Sequence, residues 1–266
     1  MSLFDLDCTP TIDGTKQYDF VIVGAGAAGI FLADRLQTFG YQILLVEHGN
    51  LQICDDKQQY NKTVQTGKIL KNDVDGRKRA IGGTTLAWGG QSLPFTALDF
   101  ETRDWMNHSG WPISYDDIYP HYNTANTFMN IDNLDYKNDI LNLFKSTPPA
   151  FDEKLFDYHF SKWAPEPDFQ KLHLIRLKSK VDIIYNACLT RIIRKKNKIA
   201  KIIVKNSKFE QYEINVRTLI MAAGGIETNR ILLNNNADKD GLNLNPDILG
   251  KFFMEHPCLE IGEITP

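Results

Sequence analysis

The stretch Tyr18-Asp19-Phe20-Val21-Ile22-Val23-Gly24-Ala25-Gly26-Ala27-Ala28-Gly29 decides how this chain is read. Its first half is apolar and β-branched, the composition of a strand buried on both faces. Gly24 ends that strand. Ala28, Phe31, Leu32, Leu36 and Phe39 then recur at helical spacing, and Gly40 stands where a C-cap belongs. Gln42-Ile43-Leu44-Leu45-Val46-Glu47 reads as a second buried strand. Strand, tight turn, helix and strand within about thirty residues make a βαβ unit, which implies a parallel pair and a right-handed crossover.

The glycines have separate tasks. Gly24 permits the turn, Gly26 removes a Cβ where backbone would approach a pyrophosphate, and Gly29 lets the helix pack close to the strand. The helix start, with Ala27 and Ala28, offers unpaired N–H groups and a partial positive charge to an anion. Glu47 ends the second strand, where a carboxylate can accept ribose hydroxyls and would repel the 2′-phosphate of NADP. Together these features predict a dinucleotide site for NAD or FAD.

The rest of the chain departs from a run of simple βα units. Residues 50–80 are polar and read as an excursion. The segment from Ile81 to Gly90 is glycine-dense around Trp88. Residues 96–170 are rich in aromatics, Asp, Asn and Pro, with short helices such as Tyr115 to Phe128. From Val181 the pattern turns to β: Val181 to Tyr185, a hairpin of Leu189 to Arg194 and Ile199 to Val204, then Glu210 to Val216. Thr218 to Ala222 reads as a further buried strand, leading through Ala223-Gly224-Gly225 into a helix over about Ile226 to Asn234. Residues 1–17 read as a surface arm.

Composition narrows the function. The 266 residues are 42% hydrophobic and 24% charged, enough for a packed core. A net charge of −3 argues against nucleic-acid binding. Arg191, Arg194, Lys195, Lys196, Lys198, Lys201 and Lys205 alternate with isoleucines, the pattern of a solvated strand face. Cys8, Cys54, Cys188 and Cys258 are scattered, so neither a zinc site nor a disulfide framework is expected, and no metal cluster is visible. The most apolar run, Val21 to Ala33, falls short of the ~20 residues that span a bilayer, and it lacks a basic leader. No membrane span is expected and the location is read as cytoplasmic.

In several segments the chain resembles the glucose-methanol-choline (GMC) oxidoreductases, a flavoprotein family. Asp19 to Gly26 with Leu44 to Gly49 is similar to the family's adenosine-binding start. Gly82-Gly83-Thr84-Thr85-Leu86-Ala87-Trp88-Gly89 resembles its second glycine motif, which lies along the flavin. Gly110 to Tyr122 is similar to the segment that follows it in several bacterial members. Ala222 to Arg230 resembles the late strand–turn–helix signature, and Leu249 to Pro257 the stretch beyond. They occur in family order across most of the chain.

The resemblance implies a Rossmann-like FAD-binding α/β fold, a parallel sheet with a β-hairpin crossover, plus an inserted irregular and helical lobe. The implied division is an FAD-binding part at 1–95, a lobe at 96–175, and a second FAD-binding part at 176–266 that ends in the start of a truncated substrate domain. It implies cofactor contacts at Gly24, Gly26, Ala27, Ala28, Gly29, Glu47, Gly82, Gly83, Thr84, Thr85, Trp88, Gly89, Ala223 and Gly224, with backbone contacts to adenine near Cys188 and Leu189. Trp88 reads equally as a core residue.

Some family members bind flavin covalently through a histidine that would match Ala87, so non-covalent FAD is expected here. The implied reaction is hydride transfer from the CH–OH carbon of an alcohol, sugar or polyol to flavin, with the electron acceptor open. An NAD-dependent Rossmann dehydrogenase and a non-catalytic dinucleotide-binding module are the competing readings. The family's catalytic histidine lies in a C-terminal region beyond any match, and the catalytic residues stay unassigned. His48, His108, His121, His159 and His173 read as surface or lobe residues, and His256 as structural. The sequence ends at Pro266, about half a family length, and is expected to be a fragment, a piece of a split protein or a degraded copy.

Overall fold

A computed structural model describes residues 3–8, 12, 14–70, 74–148, 150–237 and 241–254. In chain order the elements are β1 (Leu3–Asp5), β2 (Gln17–Val23), α1 (Ala27–Gln37), β3 (Ile43–Val46) and α2 (Asp55–Gln58). Next come β4 (Gln91–Ser92), α3 (Tyr115–Ile118), α4 (Tyr122–Phe128), α5 (Asn138–Phe144), β5 (Lys162–Trp163) and α6 (Phe169–Leu177). The last are β6 (Asp182–Tyr185), β7 (Cys188–Lys195), β8 (Lys198–Lys205), β9 (Gln211–Met221) and α7 (Gly225–Asn236).

Seven strands form one sheet in the order β1-β6-β3-β2-β9-β8-β7. The first five are mutually parallel, and β8 runs antiparallel to both β7 and β9. This is the mixed α/β, largely parallel sheet that the opening βαβ unit announces. β3 and β6 are buried at all four positions, as strands covered on both faces must be.

Alternation sends the side chains of each strand to two cores. Ile22, Ile43, Leu45 and Ile183 pack with Ile30 and Ala33 of α1 and with Phe169 and Leu177 of α6. Val21, Val23, Leu44, Val46 and Ile184 pack instead with Leu189, Ile192, Ile202 and Val204 of the hairpin and Ile231 of α7. Each fully buried Val, Leu or Ile contributes about 1.5–3 kcal/mol. The polar hairpin face is solvated as expected, with Arg191, Arg194, Lys195, Lys196 and Lys198 exposed.

Several expectations are corrected. Residues 3–5 are not a surface arm: they pair in parallel with β6, and Leu6 behind them is 1% exposed. The two strands expected at 210–216 and 218–222 are one, β9. Its first half pairs with β8 from Gln211 to Asn215 and its second with β2 from Asn215 to Met221, so Asn215 is shared by both ladders. The second half is also less covered than expected, with Thr218 exposed and Leu219 to Met221 half-buried. Helix α1 is capped at Thr38, ahead of Gly40, whose φ of +80° reverses the chain two residues later.

Two histidines are more covered than their neighbours in sequence show, and for His48 this corrects the expected surface position. His173 is buried on α6, stacked on Phe128 at 3.8 Å between ring centroids. His48 is half-buried at the end of β3, with its ring 4.9 Å from that of Tyr60. In both, the cover comes from segments distant in sequence. His256 and Cys258 lie outside the described residues.

The segment between β4 and β5 carries short helices started by two capping boxes. Thr96 and Asp99 close one, Ser114 and Asp117 the other. Phe128 ties this segment to the sheet layer through edge contacts with Phe31 of α1 and Phe169 of α6.

Candidate dinucleotide site

Three glycine turns converge at the C-terminal ends of β2 and β9. In the first, Gly24 has φ of +105°, and a Cβ there would lie 2.4 Å from the Ala222 carbonyl oxygen. Its amide donates to Val46 O at 2.8 Å while Ala222 N donates to Val23 O at 2.7 Å, so three strand ends are knotted together. A Cβ on Gly29 would lie 1.9 Å from Gly24 O, which fixes how closely α1 approaches the turn. Gly26 caps α1 with extended backbone, and Ala27 and Ala28 are exposed on its first turn, which carries no acidic residue.

The second turn sits on the first. Gly82 N donates to Ala25 O at 2.8 Å, and a Cβ on Gly83 would stand 2.7 Å from Gly26 Cα. Thr84 is exposed beside this contact. Thr85 turns inward, where its hydroxyl donates to Gly82 O at 2.7 Å and accepts from Phe169 N at 3.1 Å. Trp88 packs edge-on to Phe169, and its indole N–H donates to Pro167 O at 2.9 Å. Gly89, at φ +76°, faces Trp163. Thr85, Trp88 and Gly89 thus anchor the turn to the base of α6 and to β5.

The third turn is Ala222-Ala223-Gly224 ahead of α7. Gly224 has φ of +79°, and a Cβ on Gly224 or Gly225 would meet nothing within 4 Å. The backbone at this helix start faces open space.

Glu47 is 7% exposed, which excludes a solvent-facing acid. Its Oε2 accepts from Ala25 N at 2.9 Å and its Oε1 from Gly49 N at 2.7 Å. Burial raises its pKa, and these amide donors oppose the rise. Each oxygen keeps a second lone-pair direction, so the carboxylate can accept further hydroxyl donors. The Glu47 carbonyl accepts from Ala187 N at 2.9 Å, which places the start of β7, with Cys188 and the buried Leu189, beside the end of β3. A cavity of about 90 Å³ opens there, lined by His48, Tyr60, Cys188, Thr190, Asn206 and Ser207 among others.

Sequence reasoning missed an ionic cluster beside these turns. Arg79 is 9% exposed. Its Nη2 lies 2.7 Å from Glu227 Oε1, its Nη1 3.0 Å from His48 Nδ1, and it donates to Tyr60 O at 3.2 Å. Glu227, in the first turn of α7, also pairs with Arg230 at 2.9 Å and with Arg77 at 3.4 Å. Burial would raise the Glu227 pKa, but its arginine partners hold it below the usual value. Burial and the facing Arg79 push His48 down to about 3, so the ring is neutral. The one sequence signal was Glu227 at the third position of a helix. Among the described residues no group of His, Cys, Asp and Glu is arranged to hold a metal. Nor, among them, is any helix long and apolar enough to cross a membrane.

No family model matches the chain. Curated relatives do. Paromamine 6′-oxidase of Streptomyces fradiae is 26% identical over 125 residues, 42% of this chain and 23% of that protein. The oxygen-dependent choline dehydrogenase of Xanthomonas euvesicatoria pv. vesicatoria is 31% identical over 134 residues, again 42% of this chain and 23% of the relative. The fructose dehydrogenase large subunit of Gluconobacter japonicus matches 91% of this chain and 59% of its own length at 22% identity. Among solved structures, pyridoxine 4-oxidase from Mesorbium loti shares the fold, with a TM-score of 0.50 and 16% identity over 81% of this chain and 51% of that one. The chain therefore spans less than two thirds of each of these relatives. Taken with the order of its glycine turns, these likenesses are to glucose-methanol-choline oxidoreductases, and the partial overlap fits their N-terminal part.

Proposed function

We propose that this chain binds FAD non-covalently and forms the nucleotide-holding part of an oxidoreductase acting on a CH–OH donor, an alcohol, sugar or polyol. The observation that carries the reading is the contact between the two glycine turns, Gly83 against Gly26, over the N-terminus of α1, with Glu47 hydrogen-bonded behind them. A diphosphate needs converging N–H donors with no side chain in the way, and the exposed start of α1 offers them. The second lone pairs of Glu47 suit a ribose diol, and the cavity bounded by His48 and Cys188 suits the adenine end. Thr84, exposed beside the contact of the two glycine turns, and the amides around it would orient the flavin ring and donate to it as it gains charge. When bound, FAD supplies a two-electron acceptor for the hydride of the substrate carbon.

Ala87 carries no nucleophile, which is why the attachment is read as non-covalent. The relatives are named for oxidase and dehydrogenase activities on small hydroxylated molecules, which supports the donor class. The test is reconstitution. Purified chain incubated with FAD and desalted should retain flavin absorbance, and acid denaturation should release all of it. Uptake of NAD in place of FAD refutes the proposal. With the flavin-loaded protein, bleaching on adding candidate alcohols under anaerobic conditions would establish turnover by this chain alone.

A further inference from the structure

The Arg79–Glu227 pair joins three of the segments to which cofactor contacts are assigned. Arg79 precedes the Gly82-Gly83 turn by three residues, and its backbone forms the wall against which Gly49 rests: a Cβ on Gly49 would lie 2.2 Å from Arg79 C. Its guanidinium reaches His48, which follows Glu47, and Glu227, in the first turn of α7 behind Gly224. Such a pair is a poor way to gain stability, because removing both charges from water offsets most of their attraction. A methionine and a leucine would fill the same space without that cost.

There is a further electrostatic problem at this place. A carboxylate beside the first turn of α7 opposes the approach of a diphosphate to that helix end. Here Glu227 is faced by Arg77 and Arg79 from the segment before the second glycine turn, by Arg230 on its own helix, and by neutral His48 from the end of β3. Among the described residues, the guanidinium groups of Arg79 and Arg230, at 2.7 and 2.9 Å, more than balance the one carboxylate. The Nε of Arg79 is buried without a hydrogen-bond partner, an arrangement that stability alone would not select.

We propose that Arg79 and Glu227 are positioning residues for the cofactor: their ion pair fixes the distance between the β3 end, the second glycine turn and the start of α7, and it keeps that helix start electropositive toward the diphosphate. This inference rests on the FAD reading above. The test uses full-length protein with Arg79→Lys, Glu227→Gln and the apolar double variant Arg79→Met/Glu227→Leu. Two quantities are read for each: the melting temperature without ligand, and the FAD dissociation constant from quenching of flavin fluorescence.

The expected result is that the double variant melts at or above wild type yet binds FAD at least tenfold more weakly. Arg79→Lys keeps the charge and should bind FAD more tightly than the double variant, although its melting temperature is lower. If FAD affinity instead follows melting temperature across the set, or the double variant binds FAD within twofold of wild type, the pair is merely structural and the inference is overturned. A wild-type chain that takes up no FAD overturns the cofactor reading itself, a distinct outcome seen before any variant is made.

Discussion

The sharpest prediction separates two glycines three residues apart. Gly29→Ala places a methyl group 1.9 Å from Gly24 O, a backbone atom that cannot swing aside. Helix α1 must retreat by more than an ångström, pulling Ile30 and Ala33 away from Leu45. Overpacking of this kind costs about 1–3 kcal/mol, and the rigid neighbour places Gly29 at the upper end. The better helix propensity of alanine returns about 1 kcal/mol, leaving a net loss of about 2 kcal/mol. For a chain of this size that is a fall of roughly 4–8 °C in melting temperature.

Gly26→Ala behaves differently. Its Cβ would stand 3.8 Å from Gly83 Cα, an ordinary contact, and its φ of −86° suits any residue. A weaker N-cap and a stiffer unfolded chain nearly cancel, so ligand-free stability should change by no more than about 0.5 kcal/mol. The added methyl group nevertheless stands where the diphosphate must approach. Crowding there costs about 2 kcal/mol, a loss of FAD affinity of roughly thirtyfold. Thermal melts without ligand and a fluorescence titration with FAD read the two effects separately. Gly29→Ala melting with wild type would refute the packing argument. Gly26→Ala binding FAD within twofold of wild type would refute the assignment of the first turn to the diphosphate.

Three further outcomes follow from the geometry. His48 titrates at about 3 in the folded protein against ~6.5 when unfolded, so the unfolded chain binds more protons as pH falls below 6.5 and stability drops. The drop attributable to His48 is about 2 kcal/mol at pH 5, and denaturant titrations of His48→Gln should lack it. Asp182 accepts from Lys16 Nζ at 2.5 Å and Tyr18 OH at 3.0 Å; burial alone would raise its pKa, but these bonds hold it below the usual value. Its contribution is therefore full at neutral pH and lost as pH falls below about 4, and Asp182→Asn should cost about 1–3 kcal/mol at pH 7 by urea unfolding. Attachment is read from the unaltered protein, with Ala87 in place: all flavin should leave on acid precipitation, and flavin found in the protein pellet would refute the non-covalent reading.

The opening unit was legible because its physics is local. A β-branched strand, glycines at a turn and an acid at the next strand end lie within thirty positions and leave few alternatives. The hairpin was legible as two isoleucine-rich runs on either side of the polar turn Lys195 to Lys198, although two register shifts interrupt their ladder. What was not legible depends on distant partners. Leu3 to Asp5 is too short to show a period, and it becomes a strand only because β6 offers an edge. Arg217 looked like an interruption of β9, but it sits just past Asn215, where the strand exchanges one neighbour for another, and there it pairs with Asp19 at 2.8 Å. In the candidate site Gly24, Gly29 and Gly83 announced themselves because a side chain there would meet backbone. Arg79 and Glu227 did not, since a pairing across 148 positions leaves no mark on either residue's neighbours.

The dependence of β2 on β9 has a consequence for how the protein is made. Phe20 lies opposite Thr218 in the finished sheet. At translation rates of about 5–20 residues per second, roughly 10–40 s pass between the emergence of the two. Throughout that interval the nascent chain on the ribosome displays a hydrophobic strand with one open hydrogen-bonding edge, a surface that invites aggregation. Chaperone engagement should therefore concentrate on chains between the completion of β3 and the synthesis of β9, and fade once Met221 has cleared the exit tunnel.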